Sequence, residues 1–559
     1  MLMRPVSNLL IIMLSLLAFA CGGESPKATL VITHARIWTA DAARPYSEAM
    51  AIMGDTICAI GEAEEMRPFV GEHTQVVDLG GHFVAPGFID CHVHLISGGR
   101  SLLSVDLRDA ASPEEFIRRI ADYAQQLPPG SWIMEGNWDH SLWGGELPHK
   151  SWIDAYTPQH PVAVFRLDGH MLLANSLALQ LAGIDAHTPE PAGGEIVRQA
   201  DGRPTGILKD NAMNLLLQHV PPLSAQQKAE AFEAAMQYLW ANGVTSVHDV
   251  DGLNGELSSY ETARTFQQQG RLGLRLYAAK PLSQWEELAG AGLKNDKWVK
   301  TGCLKGFVDG SLGSHTAAFK QPYTDQPNDY GLFLHEEAEL YRWIASADSA
   351  GLHLLVHAIG DSAIACLLNI YQRVAAENGP RDRRFRMEHA QHIDPADMHR
   401  FAQLGVIASM QPYHAIDDGR WAETYIGPER IRTTYAFRSL LDAGATLAFG
   451  SDWAVAPASP IQGIYAAVSR RTLDGRHPGG WVPGQKISVE EALLAYTRHA
   501  AYASFEEDLK GSLQTGKLAD FVVLSQDPFR TQPAALGDIR VLQTYVGGVL
   551  RFGESRLGE

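Results

Sequence analysis

Two histidines separated by one residue are the first feature of this sequence that could do chemistry. His92 and His94 close residues 87–94, a largely apolar run that is typical of a strand. Alternate side chains of a strand project from the same face, so both imidazoles could bind one metal ion. Two partly buried histidines without a ligand would give the same pattern, and the pair alone leaves both interpretations open.

Further ionisable residues stand at or beyond the ends of other apolar, strand-like runs. They are Lys305, His357, His389 and Asp452. Each of them has an ordinary explanation as a hydrogen-bonded polar residue. In a barrel of parallel strands, however, the strand ends converge on one centre, where a metal and a substrate would sit. Together with the histidine pair, these residues therefore predict an active site.

The elements that must position these residues alternate between apolar strands and helical patterns. The strand candidates are residues 83–90, 162–166, 244–248, 272–277, 304–308, 352–357, 385–389, 406–410 and 446–450. Helical periodicity covers residues 224–242, 336–350 and 361–378. Repeated β-α units predict a TIM-like barrel of eight strands over residues 87–504, so at least one candidate belongs elsewhere.

Two other parts of the chain do not fit the barrel pattern. Residues 28–86 and 505–559 are rich in short β runs and turn residues, which predicts one small β domain built from both termini. Residues from about 100 to 218 form too long a stretch for one strand-to-helix connection. We expect this stretch to be an insertion that covers the mouth of the barrel.

Charge narrows the class of partner. The chain has 559 residues, with 64 acidic against 46 basic ones, and its formal net charge is -18. Such a surface repels phosphate backbones, which argues against nucleic-acid binding and favours a small-molecule substrate.

The beginning of the chain resembles a bacterial export signal. A short basic start precedes the apolar run 9–19, and Cys21 follows a small residue. This pattern predicts a lipoprotein signal peptide over residues 1–21, with Cys21 lipidated and the protein exported and membrane-tethered. Gly22 rather than Asp after the cysteine favours the periplasmic face of the outer membrane. An ordinary signal peptide and an uncleaved anchor stay as alternatives, and the other four cysteines have no paired spacing.

Taken together, these motifs resemble the metal-dependent amidohydrolase superfamily. Several of them are similar to its YtcJ-like branch, amidohydrolase family 3, over about residues 29–552. The motifs are residues 86–94, Asp168-Gly169-His170, Lys305, residues 309–314, residues 357–361, residues 388–391 and Gly450-Ser451-Asp452. The resemblance implies a (β/α)8 barrel with a composite β-sandwich domain from both termini.

The resemblance also implies roles for the candidate residues. His92, His94, His357 and His389 would bind the metal, and Asp452 would bind it and take a proton from the attacking water. Lys305 stands where many relatives carry a carboxylated lysine that bridges two metals. A free ammonium, with a pKa of about 10.4, would instead repel a cation. The expected cofactor is therefore a divalent metal, zinc first, as one or two ions.

Two further histidines are candidates for substrate binding. His170 could contact the carbonyl oxygen of the substrate, or it could be an ordinary loop histidine. His315 stands where related sequences more often have arginine, and a smaller, titratable group would hold an anion less firmly.

The predicted function is hydrolysis of a non-peptide C–N bond of the amide type by metal-activated water. An ester or lactone substrate remains an alternative, because a metal-bound hydroxide attacks any polarised centre. A lipoprotein that keeps the barrel only to bind a ligand is the other alternative. The sequence leaves the substrate and a homodimer open.

Overall fold

The computed structural model describes residues 27–251, 259–292 and 294–554. The predicted signal peptide and Cys21 lie outside the described residues. Within the described part of the chain, no helix has the length and apolar character needed to cross a membrane.

Eight parallel strands form the central sheet, and each pairs with the next one along the chain. They are Phe88–Val93, Val244–Asp249, Arg275–Pro281, Val299–Phe307, His353–Ala358, Arg386–His389, Ile407–Met410 and Leu447–Phe449. The backbone after the eighth strand meets the first, because the amide of Asp452 donates to the carbonyl of His92 at 2.7 Å. An isolated parallel bridge between Val93 and Trp453 extends this contact. The predicted barrel is confirmed.

The barrel strands are apolar along their length because other parts of the protein cover both faces of the sheet. Every residue of the first strand, Phe88–Val93, is buried, as is typical of parallel strands between helices. The α-helices are Leu95–Ser101, Pro113–Ala124, Ser176–Leu181, Asn214–Leu217, Ala225–Ala241, Ser259–Gln268, Trp285–Gly290, Glu337–Ser349, Asp361–Glu377, Met398–Leu404, Pro412–Asp418, Ala422–Arg430, Phe437–Asp442, Pro460–Ser469, Val489–Ala495 and Arg498–Tyr502.

Two sheets pack together in the β domain. One contains Leu30–Thr33, Ala49–Met53, Thr56–Gly61 and Gln75–Asp78; the other contains Arg36–Trp38, Tyr46–Ser47, Phe83–Pro86, Phe521–Leu524, Val541–Val546 and Val549–Phe552. In the second sheet, Phe521–Leu524 pairs antiparallel with Phe83–Pro86, so the two ends of the chain share one sheet. Ile32 and Ile52 of the first sheet share a buried core with Val84 and Val523 of the second.

The predicted strand over residues 83–90 is two strands. Phe83–Pro86 belongs to the β domain and Phe88–Val93 to the barrel, with Gly87 between them. A Cβ atom at Gly87 would lie 2.3 Å from Cγ2 of Thr245, so only glycine fits this passage between domains.

The ninth strand candidate lies in the insertion. Val162–Arg166 belongs to a separate sheet with Ile133–Trp138, Met171–Ala174, Gly194–Arg198 and Pro204–Asp210. The turn between Val162–Arg166 and Met171–Ala174 reaches the barrel, where the Asp168 carboxylate accepts hydrogen bonds from the hydroxyls of Ser311 and Ser314. The insertion is thereby fixed to loops at the mouth of the barrel.

Candidate metal centre and active site

Three predicted ligands form one buried cluster at the carboxyl ends of the barrel strands. His92 lies in the first strand, His389 ends the sixth, and Asp452 follows the eighth. A ligating atom of each lies within 4.8 Å of those of the other two. Imidazole nitrogens and a carboxylate oxygen at this spacing match the donors that zinc and similar divalent metals take.

The backbone turns sharply at two of these ligands. His389 has a φ of 71° and Asp452 a φ of 60°, both in the left-handed region that side chains other than glycine seldom adopt. Such a conformation costs on the order of 1–3 kcal/mol and is concentrated at functional sites. Here it accompanies two residues whose side chains point to one centre.

The other three predicted ligands lie against this cluster. His94 Nε2 is 3.2 Å from Asp452 Oδ1, and Lys305 Nζ is 3.1 Å from His92 Nε2. The ring of His357 is centred 4.5 Å from the ring of His389. The structure therefore brings all six residues together.

Three of the histidines each donate one ring N–H to a buried acceptor, which leaves the second ring nitrogen unprotonated in the neutral imidazole. His92 Nδ1 donates to Glu388 Oε2 at 2.5 Å, His389 Nδ1 to Gln411 Oε1 at 2.8 Å, and His357 Nε2 to the Gly310 carbonyl at 2.9 Å. Metal-binding histidines commonly donate their second N–H to a carboxylate or carbonyl in this way. The residues present thus fit a bound divalent metal.

The surrounding charges and burial hold most of the predicted ligands in the protonation state that binds a metal. Burial and the neighbouring Lys305 lower the pKa of His92 to about 4, so this imidazole is neutral at pH 7. Burial works to raise the pKa of Asp452, but His92 and His94 hold it well below its ordinary value. His94 differs: burial opposes the change, yet hydrogen bonds to Asp251 and Asp452 raise its pKa to about 9.

Lys305 is unusually close to its neutral form. Burial lowers the pKa of its ammonium to about 8, against the opposing effect of Glu388 and Asp452. Its side chain lies beside His92, so the amine is directed at the metal cluster. A neutral amine is the form of lysine that reacts with carbon dioxide, which makes carboxylation of Lys305 chemically accessible.

A cavity of about 520 Å³, counting its open mouth, reaches this cluster. Its wall consists of Asp139, Arg166, Leu167, Asp168, Ser311, Leu312, Gly313, Gln391, His414, Asp417, Asp418, Arg420, Trp421, Asp452 and Val455. Of the three clustered residues, Asp452 lines this wall. Arg166 pairs with Asp168 at 2.6 Å. Both residues belong to the insertion, which thus supplies charged groups to the wall of this cavity.

The two predicted substrate-binding histidines have different surroundings. The ring of His170 is centred 5.2 Å from the ring of the predicted ligand His357, and His170 Nδ1 is 2.6 Å from Asp210 Oδ1. His315 instead bonds Asp325 at 2.9 Å between the rings of Tyr323 and Tyr425. His315 is not among the described residues that line the cavity.

Sequence reasoning gave no role to the residues that hold the histidines. These residues are Glu388, Gln411, Asp251 and Asp210. Each stands at or just beyond the end of a strand, as the ligands do, and Glu388 directly precedes His389. Polar residues near strand ends could have been singled out from the sequence, but which histidine each of them contacts depends on the tertiary structure.

The profile of the amidohydrolase family matches residues 75–552. The chain is 42% identical to Protein LONG AFTER FAR-RED 3 of Arabidopsis thaliana, over 93% of this chain and 91% of that protein. It is 33% identical to Bacillus subtilis YtcJ, which is named as an amidohydrolase, over 91% of this chain and 96% of that one. It is 30% identical to an N-substituted formamide deformylase of Arthrobacter pascens, over 94% and 98%.

A solved structure has the same architecture. The crystal structure of an uncharacterized metal-dependent hydrolase from Pyrococcus horikoshii superposes with a TM-score of 0.74 at 27% identity. The superposition covers 90% of this chain and 99% of that one. Because the family profile spans most of the sequence, the protein belongs to the amidohydrolase family, in its YtcJ-like branch, and is a metal-dependent hydrolase.

Proposed function

We propose that this protein hydrolyses a non-peptide C–N bond of the amide type in a small molecule. The observation that carries the proposal is the cluster of His92, His389 and Asp452, whose carboxylate residue lines an open cavity between the barrel and the insertion. The similarity to an N-substituted formamide deformylase over nearly its full length supports an amide substrate. N-Substituted formamides are therefore the first compounds to test.

Zinc, as one or two ions, is the metal that this donor set favours. His92, His94, His357, His389 and Asp452 would hold it, and Lys305, if carboxylated, would add an anionic ligand that a second ion would need. A bound divalent metal lowers the pKa of water toward 7 and polarises the carbonyl oxygen of the substrate.

The chain's own residues supply the proton transfers and the orientation of the substrate. Asp452, held as a carboxylate, accepts a proton from the attacking water and delivers it to the nitrogen of the leaving amine. His170, whose ring lies beside that of His357, orients the substrate through its carbonyl oxygen. One water is consumed, the C–N bond breaks, and the products are a carboxylic acid and an amine.

The test is a panel of chromogenic substrates given to zinc-loaded protein. 4-Nitroformanilide and 4-nitroacetanilide release coloured 4-nitroaniline, and 4-nitrophenyl acetate reports ester hydrolysis. We expect turnover of an anilide and its loss in Asp452→Asn, by about 10²- to 10⁴-fold as for the loss of a general base. Hydrolysis of the ester alone, or full activity of Asp452→Asn, would contradict the proposal.

We also propose that the protein is exported and lipid-anchored through Cys21 at the periplasmic face of the outer membrane. The support is the basic start, the apolar run and the small residue before Cys21. Labelling with a radioactive fatty acid in a bacterial host tests it, with Cys21→Ser as the variant and Cys58→Ser, an unpaired cysteine of the β domain, as the control. We expect label and membrane fractionation in the wild type and in Cys58→Ser, and neither in Cys21→Ser. Label retained by Cys21→Ser would contradict the proposal.

A further inference from the structure

The insertion places a buried carboxylate directly behind His170. Asp210 ends the strand Pro204–Asp210, and its Oδ1 atom accepts a hydrogen bond from His170 Nδ1 at 2.6 Å. The side chain of Asp210 is only 1% exposed. The backbone adds a second link, since the amide of Asp210 donates to the carbonyl of His170 at 3.0 Å. The two residues thus form one hydrogen-bonded unit.

The carboxylate of Asp210 accepts no other hydrogen bond from the described residues. Its Oδ2 atom is buried and has no hydrogen-bond partner there. Asp309, another buried carboxylate at the mouth, accepts from three backbone amides, those of Ala318, Ile359 and Gly360. The hydrogen bonds of Asp309 thus go to loop backbone, although its Oδ1 also lies 3.5 Å from His357 Nε2, whereas the hydrogen bond of Asp210 goes to an imidazole.

The backbone of Asp210 is in an unfavourable conformation. Its φ is 44° and its ψ is -122°, in a region that suits glycine far better than any residue with a Cβ. Strained residues persist where the surrounding structure holds them, and they are concentrated at functional sites. An aspartate at this position therefore costs conformational energy that glycine would not, which indicates that its carboxylate has a function.

The bond to Asp210 also decides which nitrogen of His170 remains available. Nδ1 is committed to the carboxylate, and Nε2 makes no hydrogen bond to the described residues. The ring of His170 is centred 5.2 Å from that of His357, which places it beside a predicted metal ligand.

We propose that Asp210 is a positioning residue of the reaction, which fixes His170 through Nδ1 so that Nε2 is presented to the carbonyl oxygen of the substrate. This inference rests on the proposed function. It makes the insertion a contributor to the chemistry, because Asp210 ends one strand of its sheet and His170 lies in the turn before another.

A spectroscopic test needs no substrate. A short N–H···O bond to a buried carboxylate shifts its proton far downfield in the ¹H NMR spectrum and protects it from exchange. We expect one such signal in the wild-type protein to be absent from both His170→Ala and Asp210→Ala. Asp201→Asn, on an exposed turn of the same insertion, is the control and should retain it. A spectrum in which Asp210→Ala keeps every downfield signal of the wild type would overturn the inference.

The kinetic test uses 4-nitroformanilide and zinc-loaded protein. We expect Asp210→Asn to lower kcat by about 10- to 100-fold, as for other residues that orient a functional histidine, with little change in KM. Asp210→Ala combined with His170→Ala should lower kcat no further than His170→Ala alone. Asp210→Gly separates chemistry from backbone strain: it should unfold at the wild-type temperature or above and still lose activity.

The outcomes distinguish this inference from the function on which it rests. Wild-type kcat in His170→Ala would remove His170 from the proposed function. Loss of activity in His170→Ala together with wild-type kcat in Asp210→Gly would overturn the role of Asp210 alone, and so would additive losses in the double variant.

Discussion

The bond between Glu388 and His92 offers the sharpest test of how the fold prepares the metal centre. Glu388 Oε2 accepts from His92 Nδ1 at 2.5 Å, and the same carboxylate is paired with Arg386 at 2.8 Å. All three side chains are fully buried. Glu388→Gln keeps the shape and one acceptor oxygen, but it removes the negative charge that both partners face.

Two magnitudes follow from this geometry. Loss of a carboxylate behind a metal-binding histidine weakens metal affinity by about 10- to 100-fold, which corresponds to about 1.4–2.7 kcal/mol. Removing one partner of a buried ion pair costs about 3–5 kcal/mol, because Arg386 is left without a counter-charge. We therefore expect a Glu388→Gln protein that binds zinc more weakly and whose metal-free form unfolds at lower denaturant concentration.

Zinc affinity is measured by competition with a chromogenic chelator, at a temperature where circular dichroism shows the variant to be folded. Glu506→Gln is the matched control, because Glu506 is another buried carboxylate, paired with Lys510 at 3.0 Å and not with a predicted ligand. It should lose stability and keep its zinc affinity. A zinc affinity of Glu388→Gln within twofold of the wild type would refute the reasoning.

Two more predictions concern pH and the cavity wall. Hydrogen bonds to Asp251 and Asp452 raise the pKa of His94 to about 9, so zinc must displace a proton from this imidazole below that pH. Zinc affinity should therefore rise with pH between about 7 and 9 and then level off. Calorimetry in buffers of different ionisation enthalpy measures both the affinity and the number of protons released. A pH-independent affinity would contradict this. A Cβ at Gly313 would lie 2.6 Å from Nη1 of Arg166, so Gly313→Ala should displace the guanidinium, raise KM and leave the zinc content unchanged; an unaltered KM would contradict the assignment of this wall to substrate binding.

The barrel, and the gathering of ionisable residues at its strand ends, could be predicted because each depends on local pattern. Buried parallel strands are apolar on both faces, and ligands at their ends are ionisable residues that end apolar runs. The same pattern left open which of the nine candidates lies outside the barrel: Val162–Arg166 is as apolar as a barrel strand because the insertion sheet also has both faces covered. Sequence periodicity carries no information on which of two buried sheets a strand joins.

The residues that hold the histidines could not be assigned from the sequence for a different reason. Glu388 lies 296 positions from His92, and Asp210 lies 40 positions from His170. Which carboxylate stands behind which imidazole is decided by the closure of the barrel and the docking of the insertion. The partner of His315 could not be assigned from the sequence either, since its bond to Asp325 depends on how the loop after the fourth barrel strand folds.

The central claim is that a metal at this cluster is required for hydrolysis of an amide-type C–N bond. The most direct measurement is a titration of chelator-stripped protein, truncated after Cys21 and without a histidine tag, with zinc in the presence of bicarbonate. The initial rate of 4-nitroformanilide hydrolysis is followed at each addition. We predict no turnover without metal and a rate that rises to a plateau at one or two zinc ions per chain. Turnover that is the same before and after zinc addition, or none in fully zinc-loaded protein, would contradict the account.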